Sequence, residues 1–245
     1  MKMPRPLYSL FPALLILALS STAAGQRRRD AGVVVLSTLH NLHENSKYYS
    51  FETLARTIER IRPDVIVVEL TPADLASRRK QKVKTEYERA VFPVADKHGY
   101  KLVAMEPAPA KFAELVGLVQ SSEKELRDNS PQKAEAFSAY SDALYEYLFR
   151  KWDSPLAVNS TETDALFEVK HAYQNNLFGA KQQQGWEGWN RNFLEVIENA
   201  ARANAGKRVL VLVGVEHAYW LRGHLRDMAG VRLMDLADLI GRGKR

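Results

Sequence analysis

Short runs of apolar, mostly β-branched residues alternate along this chain with segments of helical periodicity, and this alternation limits the fold more than any other feature. Four such runs occupy residues 32–37, 64–69, 100–105 and 208–213, and a weaker fifth occupies residues 231–234. Runs of this length and composition are typical of strands buried on both faces of a sheet. Strands that alternate with helices lie parallel, because each helix returns the chain to the starting edge. The sequence therefore predicts an α/β fold with a mostly parallel central sheet and flanking helices.

Helical patterns fill the intervals between these strands. Residues 51–61 carry apolar side chains at helical spacing, and Ser50 is a good N-cap at their start. Residues 85–97 form a second helical segment, and Gly99 is the stop expected after it. Between the third and fourth strands the composition is helical throughout, which predicts a helical insertion over residues 107–205 that covers the carboxyl edge of the sheet. Within it we expect helices over residues 110–119, 131–150, 162–174 and 186–205, joined near residues 129–131, 152–155 and 182–185.

The N-terminal 25 residues differ from the rest of the chain. Lys2 and Arg5 precede an apolar stretch, and small residues follow it up to Gly25. This is the layout of a secretory signal peptide, so we expect cleavage after residue 24 or 25, a single α/β domain over residues 30–245 with no membrane span, and a periplasmic or secreted location. Three arginines directly after the cleavage point oppose translocation, which leaves an uncleaved N-terminal membrane anchor as the alternative.

Composition narrows the chemistry. The chain has 245 residues, of which 46% are hydrophobic and 26% charged, an ordinary globular composition. It has no cysteine, so any metal must be held by His, Asp and Glu, and a thiol nucleophile is excluded. The formal net charge is a mild +6. Basic clusters at residues 78–84 and 242–245 lack the interleaved aromatic residues of a nucleic-acid platform, so we interpret them as solvated surface and expect no specific nucleic-acid partner.

Imidazole or carboxylate groups follow each of the four main strands. They are His40, Glu69, Glu106 and His217. The carboxyl ends of parallel strands gather ligand sites, so these four side chains are expected at one edge. A carboxylate as close to an apolar strand as Glu69 requires a cation or a proton. We therefore predict a divalent metal (Mn, Co, Fe or Zn) held by His40, Glu69 and His217. The alternative is that Glu69 caps the next helix and each histidine bonds only to backbone.

Three further residues are candidates for this edge. Gly214 directly follows the fourth strand, where a positive φ would turn the next backbone amides towards the cleft. Arg191 lies early in the helix before that strand, where it can hold a substrate carboxylate or an oxyanion, although a surface pair with Glu195 is equally compatible. His43 can support His40 or relay a proton. We expect Glu216 to interact favourably with the dipole of the helix that it begins. No role is expected for the other histidines, which are His98, His171 and His224.

Several of these segments resemble the Tiki/TraB/GumN group, which belongs to a superfamily with the erythromycin-esterase-like and ChaN-like proteins. Ser37-Thr-Leu-His40 and Gly214-Val-Glu-His217 resemble the two Gly-x-x-His motifs of that group, although Ser37 replaces the first glycine. Glu69 at the end of its strand is similar to the acidic position of the group. Arg191-Asn192 is similar to the Arg-Asn helix before the second motif.

The resemblance implies an α/β fold with a mixed sheet and, for Tiki-like members, a metal-dependent peptidase with its ligands at His40, Glu69 and His217. We therefore expect an exported metal-dependent hydrolase that cleaves peptides or other small acyl substrates. In it Glu69 and Glu106 take part in catalysis, Glu106 as a further ligand or general base, and Arg191 stabilises developing charge.

Two other functions stay open. ChaN-like relatives imply a non-catalytic protein of the cell envelope that binds haem or a metal through the same histidines, with Tyr48 or Tyr49 as a further ligand. Ser37 and the basic surface are also compatible with an interaction domain whose site is degenerate.

Overall fold

A five-stranded sheet in which every pairing is parallel forms the centre of the computed structural model, which describes residues 29–241. The spatial order is β3-β2-β4-β1-β5. The strands are β1 (Ala31–Thr38), β2 (Val65–Val68), β3 (Lys101–Ala104), β4 (Arg208–Gly214) and β5 (Val231–Leu233). All five predicted runs form strands, so the predicted α/β fold with a mostly parallel sheet is confirmed, whereas the mixed sheet that the resemblance implies is wrong because every pairing is parallel. The predicted signal peptide over residues 1–25 and the basic cluster at residues 242–245 lie outside the described residues.

Helices connect the strands and cover both faces of the sheet. They are α1 (Phe51–Ile61), α2 (Pro72–Ser77), α3 (Phe92–His98), α4 (Pro109–Asn129), α5 (Pro131–Lys151), α6 (Pro155–Val158), α7 (Thr161–Phe178), α8 (Ala180–Ala203), α9 (Val215–Leu225) and α10 (Leu236–Ile240). A 3-10 turn (His40–Glu44) follows β1, and a π-helical turn (Tyr87–Val91) leads directly into α3. Helices α4 to α8 all lie between β3 and β4, which confirms the predicted helical insertion. Within residues 29–241, the structure contains no helix that combines the length and apolarity needed to cross a bilayer.

The strands are continuously apolar because the sheet is covered on both sides. In β1, Val34 and Leu36 face the core that contains Leu54 and Ile58 of α1. Val33 and Val35 face the opposite core, which α8 and α9 close. Successive residues of a strand point to opposite faces, so a strand buried on both faces needs apolar residues at every position.

The strand order brings the predicted site residues together. Strands β1 and β4 are neighbours at the centre of the sheet, and Thr38 at the end of β1 lies opposite Gly214 at the end of β4. Strand β2 flanks β4 on the other side, with Val68 opposite Leu212. The residues that follow these three strands therefore share one edge.

One predicted joint in the insertion is wrong. Residues 182–185 lie inside α8, and the chain turns before that helix at Gly179, which has a φ of 80°. Gly185 instead allows α8 to approach α4 closely, because a Cβ at this position would lie 2.8 Å from Cγ2 of Val119. The sequence pattern does not distinguish a glycine that ends a helix from one that permits close packing.

Candidate functional site

The carboxyl ends of β1, β2 and β4 bring His40, Glu69 and His217 to one place. Nε2 of His40 lies 3.9 Å from Oε1 of Glu69. His40 and His217 both line a cavity of about 290 Å³, together with the first residues of α9. The three residues expected to form a site thus share one edge of the sheet.

Gly214 is required here for space. Its φ of −53° is open to any residue, so the positive φ expected at this position is wrong. A Cβ on Gly214 would lie 2.7 Å from Nε2 of His40 and 3.5 Å from Oε2 of Glu69. The amide of Gly214 also donates a hydrogen bond of 2.7 Å to Oε2 of Glu69. The missing side chain therefore lets the imidazole lie against the end of β4.

His40 is held by a buried carboxylate. Its backbone has a φ of 51°, in the left-handed region that is costly for a residue with a side chain and that is concentrated at functional sites. Nδ1 donates to Oε1 of Glu86 at 2.8 Å, and the Thr38 hydroxyl donates to the same oxygen at 3.1 Å. Nε2 is therefore the ring nitrogen left to face Glu69. Burial alone would lower the pKa of His40, but the charges of Glu86 and Glu69 outweigh it and raise the pKa above 6.5.

The sequence analysis did not identify Glu86 as a site residue, because it lies within the predicted helical segment over residues 85–97. It is fully buried and directly precedes the π-helical turn. Such turns are frequent at functional sites because they change the direction of side chains within a helix. Only this departure from helical geometry marks the residue, and no local sequence pattern encodes it.

His217 is a neutral imidazole with a fixed tautomer. Nδ1 lies 2.9 Å from Oδ1 of Asn190, whose Nδ2 donates to the carbonyl of Trp186 and so fixes the orientation of the amide. Nδ1 therefore carries the proton and Nε2 carries the lone pair. The Trp186 ring stacks on the imidazole with a centroid separation of 4.6 Å. Burial lowers the pKa of His217 to about 4.

Glu69 and Glu106 are bridged by Lys84. Nζ of Lys84 lies 2.8 Å from Oε1 of Glu69, donates to the Glu69 carbonyl at 3.0 Å, and also donates to Oε1 of Glu106. Oε2 of Glu106 accepts a hydrogen bond of 2.8 Å from Nε1 of Trp189. We call these three residues the Glu69–Lys84–Glu106 bridge. The structure places Glu106 within the bridge, and not among the residues that line the cavity.

The bridge sets the charge of both carboxylates. Burial favours the neutral form of Glu69, but the charges of Lys84 and His40 outweigh it and hold its pKa well below the usual range. Burial, together with repulsion from Glu69, raises the pKa of Glu106. Lys84 itself is buried, yet the two carboxylates raise its pKa.

The prediction that residues 78–84 are all solvated surface is wrong for Lys84. Its side chain is only 21% exposed, whereas Arg78 in the same run forms an exposed pair with Asp96. A run of basic residues does not show which member turns inward, because that depends on the carboxylates contributed by distant strands.

Arg191 is not brought into this cluster. Its side chain is 69% exposed and pairs with Glu187 at 3.7 Å, one turn earlier in α8. The neighbouring Asn192 faces the sheet instead, and its Nδ2 donates to the carbonyl of Met105 at 2.8 Å. The role of Arg191 in stabilising developing charge stays a prediction. Its exposed position, away from the cluster, does not support that role.

The N-terminus of α9 opens into the cavity. Gly214 is its N-cap and supplies no side-chain hydrogen bond, and Val215 and Glu216 line the cavity. The first amides of a helix have no partner within the helix and carry partial positive charge. This edge therefore offers donors to an anion or a developing oxyanion.

His43 and Tyr49 are structural. His43 is fully buried, donates from Nδ1 to the Tyr49 carbonyl, and accepts from the Leu39 amide at 2.9 Å. Burial lowers its pKa to about 4. The Tyr49 ring is also fully buried, and its hydroxyl donates to the Ser37 carbonyl. Tyr48 is 47% exposed, next to Lys47. Neither tyrosine lines the cavity, so this arrangement does not favour the haem-binding alternative.

Glu216 lies at a second polar cluster on the rim of the cavity. Its Oε2 accepts from Lys170 at 2.6 Å and from His171 at 2.9 Å, and Tyr145 donates to Oε1. His171, for which no role was expected, takes part in this cluster, since its side chain is 2% exposed, bonds to Glu216 and stacks on Trp186. These contacts fix Trp186 and, through it, His217.

The donors as they stand do not fit a resident metal. Oε1 of Glu69, the carboxylate atom closest to His40, is paired with the Lys84 ammonium, and Oε2 accepts from the Gly214 amide. Within residues 29–241, no three His, Asp or Glu side chains converge as metal ligands would. The divalent metal stays a prediction, and the chemistry below is derived without it.

Comparison with protein-family models, with curated proteins and with solved structures found no match to this chain. The resemblance to the Tiki/TraB/GumN group stays a prediction.

Proposed function

We propose that this chain is a hydrolase of small acyl substrates that activates water with His40 and requires no resident metal. The observation that supports this most is the contact between Nδ1 of His40 and the buried Glu86, because it leaves Nε2 of this cavity-lining histidine as the nitrogen that can accept a proton. A histidine oriented by a carboxylate is the usual arrangement of a general base. Export of the protein is part of the prediction for residues 1–25.

His40 takes the first proton. Neutral His40 removes a proton from a water molecule in the cavity as the water oxygen forms a bond to the acyl carbon. Glu86 stabilises the imidazolium that forms, as a buried carboxylate does for a catalytic histidine. The neutral Nε2 of His217 accepts the second hydrogen of the water or a substrate N–H, which orients the attack. General base catalysis of this kind contributes roughly 10²- to 10⁴-fold to the rate.

The N-terminus of α9 stabilises the developing negative charge. The carbonyl oxygen becomes an oxyanion in the tetrahedral intermediate, and the first residues of α9, whose amides have no acceptor within the helix, line the cavity where it forms. When the bond from the acyl carbon to the leaving nitrogen or oxygen breaks, His40 returns its proton to the leaving atom. One water is consumed, and the products are a carboxylic acid and an amine or alcohol.

The cavity limits the size of the substrate. Its volume of about 290 Å³ lies just below the roughly 300–1,000 Å³ typical of small-molecule sites. Leu42, Val83 and Trp186 are apolar residues that line it. A short acyl chain or a single peptide side chain therefore fits better than an extended polymer.

The test is a panel of acetyl, butyryl and octanoyl esters together with short N-acetylated peptide amides. We expect hydrolysis of the shorter substrates. Substitution of His40 by Ala should lower kcat/KM by about 10²-fold or more. Glu86→Gln should lower it by a smaller factor, because the imidazole stays in place but its charged form loses a partner. His98→Ala is the matched control, since His98 is exposed at the end of α3, pairs with Glu59 and is not among the residues that line the cavity. The proposal fails if no substrate is cleaved or if His40→Ala is as active as the wild type.

A further inference from the structure

The Glu69–Lys84–Glu106 bridge has no direct part in the hydrolytic steps proposed above, yet it concentrates three ionisable groups in a buried position. Glu69 and Glu106 are 4% and 5% exposed. The Lys84 ammonium has three hydrogens, and it contacts three oxygens, two from Glu69 and one from Glu106. Two of these contacts are hydrogen bonds, to the Glu69 carbonyl and to Oε1 of Glu106, and the third is an ion pair with Oε1 of Glu69.

The ammonium lies on the oxygen that a metal ion would use. Oε1 of Glu69 is 2.8 Å from Nζ of Lys84 and 3.9 Å from Nε2 of His40. An ion shared by His40 and Glu69 would bind this same oxygen. Two cations on one buried carboxylate oxygen repel each other strongly, because burial weakens dielectric screening.

Removing the ammonium leaves two buried carboxylates without the positive charge that lies between them. An uncompensated buried charge costs several kcal/mol, so the pair would take up another cation or a proton. Two carboxylates beside an imidazole are a favourable donor set for Mn²⁺. The donors are already held by other contacts, since Trp189 holds Glu106 and the Gly214 amide holds Glu69.

We infer that Lys84 is the built-in cation of this site. Its ammonium occupies the position of a divalent ion between Glu69 and Glu106, and its removal converts the two carboxylates into a divalent-cation site. This inference deepens the proposed function, because it gives the reason why hydrolysis needs no resident metal. It concerns cation binding alone, so it is measured without substrate and can fail or succeed independently of the hydrolase activity.

The test is a titration with Mn²⁺ alone, followed by the paramagnetic resonance signal of the free ion and by calorimetry. Lys84→Met keeps the length of the side chain and removes the charge. Lys82→Met is the matched control, since Lys82 belongs to the same loop and is exposed. We expect one Mn²⁺ to bind per Lys84→Met chain and no saturable binding by the wild type or Lys82→Met up to about 1 mM. Adding Glu106→Gln to Lys84→Met should weaken the binding about 10-fold or more, because a charged ligand is lost.

Two results would overturn the inference. One is saturable binding of Mn²⁺ to the wild type that is lost in His40→Ala, which would show that Lys84 does not replace an ion. The other is a folded Lys84→Met variant that binds no Mn²⁺. If Lys84→Met does not fold, the double variant Lys84→Met with Glu106→Gln decides the matter. It removes one positive and one negative charge, so it should fold, and its failure to do so would show that Lys84 does not act through its charge.

Discussion

The imidazole of His40 depends on three neighbours that are distant in sequence. Glu86 holds Nδ1, Gly214 leaves room for the ring, and Glu69 lies opposite Nε2. The strand end and the histidine were predictable, because an apolar run followed by a polar residue is a local pattern. The roles of Glu86 and Lys84 were not predictable. Which side chains of their segment turn inward depends on its packing against the carboxyl ends of the strands.

The pH dependence of hydrolysis follows from the protonation of His40. Only its neutral form accepts a proton, and the carboxylates of Glu86 and Glu69 raise its pKa above 6.5 although burial opposes them. We therefore predict that kcat/KM rises with pH through an apparent pKa higher than 6.5. Glu86→Gln should move this apparent pKa downwards, because the imidazolium loses its charged partner. A pH–rate profile of both proteins checks this, and an unchanged midpoint in the variant would contradict it.

Gly214 provides a steric test of the same imidazole. Gly214→Ala adds a Cβ that would lie 2.7 Å from Nε2 of His40, so the ring must move. We expect a folded protein that has lost about 10²-fold in kcat/KM, since misplacement of a catalytic group by about 1 Å has this effect. Gly223→Ala in α9 is the control, because a Cβ there meets nothing within 4 Å, and it should be active and up to about 1 kcal/mol more stable. Equal activities of the two variants would contradict the role assigned to Gly214.

Among the elements, the strands and most helices of the insertion were predictable and the contacts between them were not. The strands are recognisable because both faces are buried, and α1 because Leu54, Ile58 and Ile61 recur at helical spacing. The packing of α8 on α4 was not predictable, because it depends on Gly185. From the sequence alone, a glycine at this position is equally compatible with a turn between two helices. Asn190 and Trp186, which fix His217, belong to this helix and were not recognised as part of the site.

The α4–α8 contact predicts a loss of stability on enlarging Gly185. A Cβ there would lie 2.8 Å from Cγ2 of Val119 and 3.3 Å from the Leu115 carbonyl. Overpacking of this kind costs about 1–3 kcal/mol. Urea denaturation of Gly185→Ala should show this loss, whereas Gly117→Ala in α4, with nothing within 4 Å of its added Cβ, should be neutral or stabilising. A Gly185→Ala variant as stable as the wild type would contradict the close packing.

For the molecule as a whole, buried neutral histidines predict sensitivity to mild acid. Burial lowers the pKa of His43 to about 4 from 6.5 in the unfolded chain. The unfolded state therefore binds the proton first, and the free energy of unfolding falls as the pH drops from 6.5 to 4. His43 alone contributes about 3 kcal/mol to this loss. Chemical denaturation at pH 7, 5.5 and 4.5 measures it, and a constant free energy of unfolding over this range would contradict it.

The buried charges of Glu69, Lys84 and Glu106 are relevant to whether the proposed hydrolase depends on a metal. Lys84, contributed by a loop, pairs with both buried carboxylates, Glu69 and Glu106. The measurement that decides whether a metal is needed is ester turnover by chelator-treated protein whose metal content is determined in the same sample. We predict turnover without stoichiometric metal that is retained in His98→Ala and reduced about 10²-fold or more in His40→Ala. A chelator-treated protein that is inactive until Mn²⁺, Co²⁺ or Zn²⁺ is returned would contradict the metal-free mechanism.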